Sequence, residues 1–148
     1  MAQMSLQPAA IREASSDAQK RVLLVERCPL NRHLESLILR RAGFTVQEAG
    51  SAVQALRLLR VLQYGAIVVD PDLPDENGPR LLRRLRQQSM TSSLVVVSGR
   101  AFPAERSLAL DAGCDAYIVK PICTRTFGSD VEAAIARRAE RPARAAHA

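Results

Sequence analysis

Four short runs of uninterrupted apolar residues, Val22–Val25, Ala66–Val69, Leu94–Val97 and Ala116–Val119, constrain the fold of this chain more than any other feature. A half-exposed strand alternates apolar and polar residues, whereas a parallel strand covered by helices on both faces does not. The four runs therefore predict central strands. A fifth run, Thr45–Ala49, is more polar and predicts an edge strand. Between the runs the period changes. Leu30, Leu34, Leu37 and Ile38 recur at helical spacing, as do Ala52, Ala55, Leu56 and Leu59, then Leu81, Leu82 and Leu85; each set predicts a helix with one buried face. Ser51 and Gln54 have the form of a capping box, and Gly43, Gly65 and Gly113 stand where three helices are expected to stop. A last helix is expected from about Thr124 to Arg138, burying Phe127, Val131, Ala134 and Ile135.

Strands alternating with helices predict an α/β fold: a doubly wound, five-stranded parallel sheet of flavodoxin-like order 2-1-3-4-5 with five helices. A chain of 148 residues suits one domain, expected over 20–138, with disordered tails at 1–19 and 139–148. No apolar run approaches the roughly 20 residues of a membrane helix, and the first twenty residues lack a secretory stretch, so a cytoplasmic protein is expected.

Composition removes several function classes. Cys28, Cys114 and Cys123 show no CxxC spacing, so neither a disulfide frame nor a zinc site is expected. His33 and His147 lie beside no nucleophile motif. The net charge of +6 raises the question of nucleic acid, and Arg80, Arg83, Arg84, Arg86, Arg137, Arg138, Arg141 and Arg144 would carry such binding. Aromatic residues make up only 3% and Trp is absent, so the stacking half of single-strand recognition is missing and a solvated surface is expected. The phosphate-cradling loops GxxxxGK[ST] and GxGxxG are missing, as is the G-x-S-x-G elbow, so no conventional enzyme is expected.

In a doubly wound sheet the site lies at the carboxyl ends of the strands. Strand one ends in Glu26-Arg27, strand three in Asp70, strand four in Ser98 and strand five in Lys120-Pro121. One charge at a strand end is ordinary; four polar groups on four strands define a candidate site. The segment Asp70-Pro71-Asp72-Leu73-Pro74-Asp75-Glu76-Asn77-Gly78 resembles the acceptor loop of the receiver domains of two-component response regulators. Ala116-Tyr117-Ile118-Val119-Lys120-Pro121 is similar to their last strand, and the likeness covers about Arg21 to Arg138.

The resemblance implies that Asp70 accepts a phosphoryl group from a histidine kinase or histidine phosphotransferase, carboxylates being competent covalent acceptors. It implies that Lys120 pairs with a phosphoryl oxygen, that Ser98 hydrogen-bonds another, and that Tyr117 turns inward as a switch. It also implies a cis Lys120-Pro121 peptide; since a single domain with no output domain attached is expected here, the signal is expected to pass to a downstream protein target. The alternative is a degenerate receiver working as an interaction module without phosphoryl chemistry. Magnesium would take Glu26, Asp70 and the Asp72 carbonyl, but Arg27 stands where the family carries a second carboxylate. The formal charges of Glu26, Arg27, Asp70 and Lys120 cancel, so Arg27 is expected beside Asp70 as a built-in cation, with magnesium bound weakly or not at all.

Overall fold

A computed structural model of the protein describes residues 16–100 and 102–140. Strands β1 (Arg21–Val25), β2 (Thr45–Ala49), β3 (Ala66–Val69), β4 (Ser93–Ser98) and β5 (Ala116–Val119) form one parallel sheet in the order β2-β1-β3-β4-β5. Five helices alternate with them: α1 (Pro29–Arg41), α2 (Ala52–Leu59), α3 (Gly78–Gln88), α4 (Pro103–Asp111) and α5 (Phe127–Glu140). The expected architecture is present. Residues 16–19 add a helical turn, making six helices among the described residues where five were expected.

Successive strand side chains point to opposite faces, so each strand feeds two cores. Leu23, Val25, Ile67, Val69, Leu94 and Val96 pack against Leu56, Leu81, Leu82 and Leu85 on one side. Val22, Leu24, Val68, Val95 and Val97 pack against Leu39, Phe127, Val131 and Ala134 on the other. The predicted buried faces of α2, α3 and α5 are those observed, with Leu59 and Ile135 only partly buried. Half of the capping box is built: Ser51 Oγ accepts from Gln54 N–H at 3.2 Å, but Gln54 Oε1 reaches one residue further back and accepts from Gly50 N–H at 2.8 Å.

Four expectations need correction. Strand β5 is an edge strand rather than a central one; it pairs only with β4, and Val119 is 42% exposed. None of its four residues is fully buried, so a continuous apolar run does not by itself separate an edge strand from a central one. Helix α1 is rotated from its predicted face: Leu30, Leu34 and Leu37 are exposed, while Glu35, Ser36 and Leu39 are buried. Leu39 enters the core on that rotation, and two bonds leaving the helix match it: Arg40 donates to the Val46 carbonyl and Arg32 to the Glu26 carbonyl.

Gly43 and Gly113 end α1 and α4 with φ of +99° and +108°, as a glycine after a helix should. Gly65 ends no helix, because α2 stops at Leu59. It is needed for close approach: a Cβ there would lie 2.5 Å from the Gln19 carbonyl oxygen. That contact places residues 16–19, expected in the tail, against the domain, and the 2.8 Å bond from Thr45 N–H to the Lys20 carbonyl ties residue 20 to β2. The last helix likewise runs through residues 139 and 140. The remaining tail expectations, at 1–15 and 141–148, lie outside the described residues.

Candidate functional site

The parallel ladder continues one residue past each strand and so fixes where the charged groups stand. Glu26 N–H donates to the Ala49 carbonyl at 3.0 Å, Asp70 N–H to Val25 at 2.9 Å, and Lys120 N–H to Ser98 at 2.8 Å. Three side chains from three strands thereby meet at one edge of the sheet. Lys120 Nζ donates to Glu26 Oε2 at 2.8 Å and to Asp70 Oδ2 at 2.6 Å. The Glu26 side chain is 3% exposed and that of Asp70 12%, so the trio is sheltered from water while Asp70 keeps an open side. The remaining oxygens are also satisfied: Glu26 Oε1 accepts from Cys28 N–H, and Asp70 Oδ1 accepts from Asp72 N–H at 3.0 Å.

Burial alone would lower the Lys120 ammonium, but its hydrogen bonds to Asp70 and Glu26 outweigh that and hold it above its ordinary pKa. It is charged at any working pH. A fourth ionisable group stands behind them. Glu35, 3% exposed on the inner face of α1, has its pKa raised to about 7, first by burial and then by the charge of Glu26, with Lys120 opposing and Asp70 adding. Sequence periodicity hid Glu35, because it assigned the buried face of α1 to the leucines.

Ser98 and Tyr117 border the same edge without touching Asp70. Ser98 is buried and its Oγ accepts from Arg100 N–H at 3.1 Å, while the half-buried Tyr117 hydroxyl donates to the Arg100 carbonyl at 2.6 Å. Both line a cavity of about 260 Å³ between the Asp70 loop and α4, with Asn77, Leu82, Arg100 and Glu105. The Lys120-Pro121 peptide is cis. Asp75, in the Asp70 loop, caps a different helix: its carboxylate accepts from the N–H groups of Ala52 and Val53 at 3.0 and 3.1 Å. These backbone bonds hold its carboxyl below the usual range, and they tie the loop to the start of α2.

Arg27 is not where it was expected. Its guanidinium pairs with Asp72 Oδ2 at 3.7 Å, with the two side chains 56% and 61% exposed, and no ion pair joins it to Asp70 among the described residues. Lys120 already compensates Asp70 from the sheltered side, which leaves Arg27 to the outer acid.

The magnesium donor set does not fit this arrangement well. Among the described residues no three His, Cys, Asp or Glu side chains are grouped to hold a metal. Glu26 and Asp70 share one ammonium, and Arg27, which replaces the second carboxylate of the family's pattern, stands at Asp72, so an entering dication would find one ligand fewer and two cations nearby.

Fold and strand-end constellation together define a class, an α/β domain with an aspartate–lysine pair at the switch of a doubly wound sheet. The chain belongs to the response regulator receiver domain family, whose model matches residues 22–132. The alkaline phosphatase synthesis transcriptional regulatory protein SphR of Synechococcus elongatus is 30% identical, the match covering 94% of this chain and 58% of that regulator. The chain thus spans little more than half the length of that relative. A CheY-like receiver domain protein from Methanospirillum hungatei superposes with a TM-score of 0.77 at 26% identity, covering 82% of this chain and 97% of the other. The receiver domain of a Pseudomonas aeruginosa sensor histidine kinase matches with a TM-score of 0.72 at 27% identity over 79% of this chain and 98% of its own; that structure has a magnesium ion coordinated in its active site cleft. This protein is accordingly a receiver domain of the two-component type, a signalling module. No helix among the described residues is long and apolar enough to cross a membrane.

Proposed function

We propose that Asp70 accepts a phosphoryl group from a phosphohistidine on a histidine kinase or phosphotransferase in the cytoplasm, and that the modified domain signals to a protein partner. The observation that carries this reading is the Lys120 ammonium held 2.6 Å from one Asp70 oxygen at an accessible strand end. A carboxylate oxygen of Asp70 forms the new O–P bond as the P–N bond to the donor imidazole breaks. The bonding pair returns to the ring nitrogen, and the imidazole, protonated on its other nitrogen, leaves neutral. The Lys120 ammonium stabilises charge on the phosphoryl oxygens.

Ser98 and Tyr117 supply the switch in this reading. A new oxyanion at Asp70 competes for the Ser98 hydroxyl, whose present role is to accept from Arg100 N–H, and Tyr117 shares the same Arg100 backbone. Losing that anchor lets Tyr117 enter the adjoining cavity and changes the surface around β5 and α4. The donor's docking surface is the exposed row Leu30, Leu34 and Leu37 on α1, which begins three residues after Glu26. Incubation with acetyl phosphate and intact-mass measurement test the reading: one added phosphoryl group is expected, and none in Asp70→Asn. Labelling that persists in Asp70→Asn rules Asp70 out.

A second reading, an interaction module that works without phosphoryl chemistry, draws on the same ion pairs, since Glu26, Asp70 and Asp72 each already have a cationic partner. A chain that stays unlabelled yet captures its partner favours it.

A further inference from the structure

We propose that Arg27 takes the place of a divalent cation at this site: its guanidinium leaves Asp72 and, together with Lys120, binds the phosphoryl oxygens as the group reaches Asp70. The proposal rests on Asp70 being the acceptor. It grows out of the misfit between the donor set and magnesium.

The resting Arg27–Asp72 contact is long, 3.7 Å, and both side chains are more than half exposed. Such a pair is weak and easily exchanged. Its place is informative, because Asp72 N–H is bonded to Asp70 Oδ1 and Arg27 directly follows Glu26, whose carboxylate shares Lys120 with Asp70. The guanidinium is therefore held on the loop that carries the acceptor, by the residue whose backbone N–H is bonded to Asp70.

A dianionic phosphoryl group outcompetes a single exposed carboxylate for it. Guanidinium offers a planar fork matched to two phosphoryl oxygens, and it cannot lose its proton at working pH. With Lys120 on the sheltered side and Arg27 on the open side, the incoming charge meets two fixed cations. The same two cations repel a free dication and occupy the carboxylates it would need.

The test uses the full chain and has two arms. Calorimetric titration with magnesium chloride is expected to show no binding at millimolar concentration in the native chain and binding at least about tenfold tighter in Arg27→Asp. Acetyl phosphate labelling followed by intact mass is expected to be equally fast in magnesium and in EDTA for the native chain. Arg27→Gln is expected to slow it at least about tenfold with an unchanged thermal midpoint, because the side chain is exposed, and Arg27→Lys to recover part of the rate. Native labelling that disappears in EDTA, tight magnesium binding by the native chain, or Arg27→Gln labelling at the native rate overturns the proposal while leaving Asp70 as acceptor. No labelling under any condition overturns both.

Discussion

Glu35 carries a carboxyl group into the interior beside Glu26, Lys120 and Asp70, and its pKa of about 7 against an ordinary 4.5 gives it an effect on stability with a definite sign. Below pH 4.5 the group is protonated in folded and unfolded chains alike, so its burial as an acid carries no ionic penalty. Between 4.5 and 7 the folded chain holds the proton that the unfolded chain has released; above 7 the folded chain must bury a charge near Glu26. Stability is therefore lost as pH rises through this window. Replacing Glu35 with Gln removes the slope and should raise the unfolding free energy at pH 8 by on the order of 2 kcal/mol, with little gain at pH 4.5. Urea denaturation at the two pH values checks this, and an equal gain at both would mean that packing, not charge, is responsible.

A second residue of this kind lies at the opposite end of the sheet. Asp115, 7% exposed, binds Arg86 of α3 at 2.5 Å and Arg138 of α5 at 3.2 Å, and accepts from Leu94 N–H of β4 at 2.8 Å. Arg86 also donates to the carbonyls of Gly113, Ser89 and Ser92. Two arginines that nucleic-acid binding would need are thus committed inside the domain, and Arg84 pairs with Glu76 at 2.7 Å. Substituting Asp115 with Ala leaves a sheltered guanidinium unpaired and should cost about 3 kcal/mol or more, read from the urea midpoint. A loss below about 1 kcal/mol would place the pair in the class of surface bridges instead.

Helices α1 and α3 show how differently an apolar period can be used. In α3, Leu81, Leu82 and Leu85 are 0–2% exposed and lock the helix that follows the Asp70 loop to the sheet. In α1 the leucine row faces outward, Leu30 at 81%, and the helix is held by Leu39, Ile38 and the polar bonds of Arg32 and Arg40. The double substitution Leu30→Ser, Leu34→Ser should leave the thermal midpoint within about 2 °C, since little burial is lost. Phosphotransfer from the protein donor should slow by about tenfold or more while acetyl phosphate labelling is unchanged. Equal slowing with both donors would point to damage at Asp70 rather than to docking.

At the scale of the whole molecule, the segment before β1 is part of the domain's closure. Lys20 accepts from Thr45 of the edge strand β2, and Gln19 lies against Gly65 at the entry to β3. A chain beginning at residue 21 should therefore melt several degrees below one beginning at residue 16, because an edge-strand N–H loses its partner and the Gly65 contact opens. Identical melting curves would show that residues 16–20 only rest on the surface.

The strands, their parallel arrangement and the polar groups at their carboxyl ends were legible in the sequence, because each is written locally. Continuous aliphatic runs mark strands covered on both faces, and the residue that follows each run must stand at the sheet's edge. Glu26, Asp70, Ser98 and Lys120 could be named on that basis, with their roles supplied by the resemblance. Tertiary structure alone decided the partners. Lys120 meets Glu26 across 94 positions of chain and Arg86 meets Asp115 across 29, separations over which no local period carries information. It also decided the rotation of α1, which exposed three leucines and buried Glu35, and the direction of Arg27, which Asp72 holds at the surface because Lys120 already occupies Asp70.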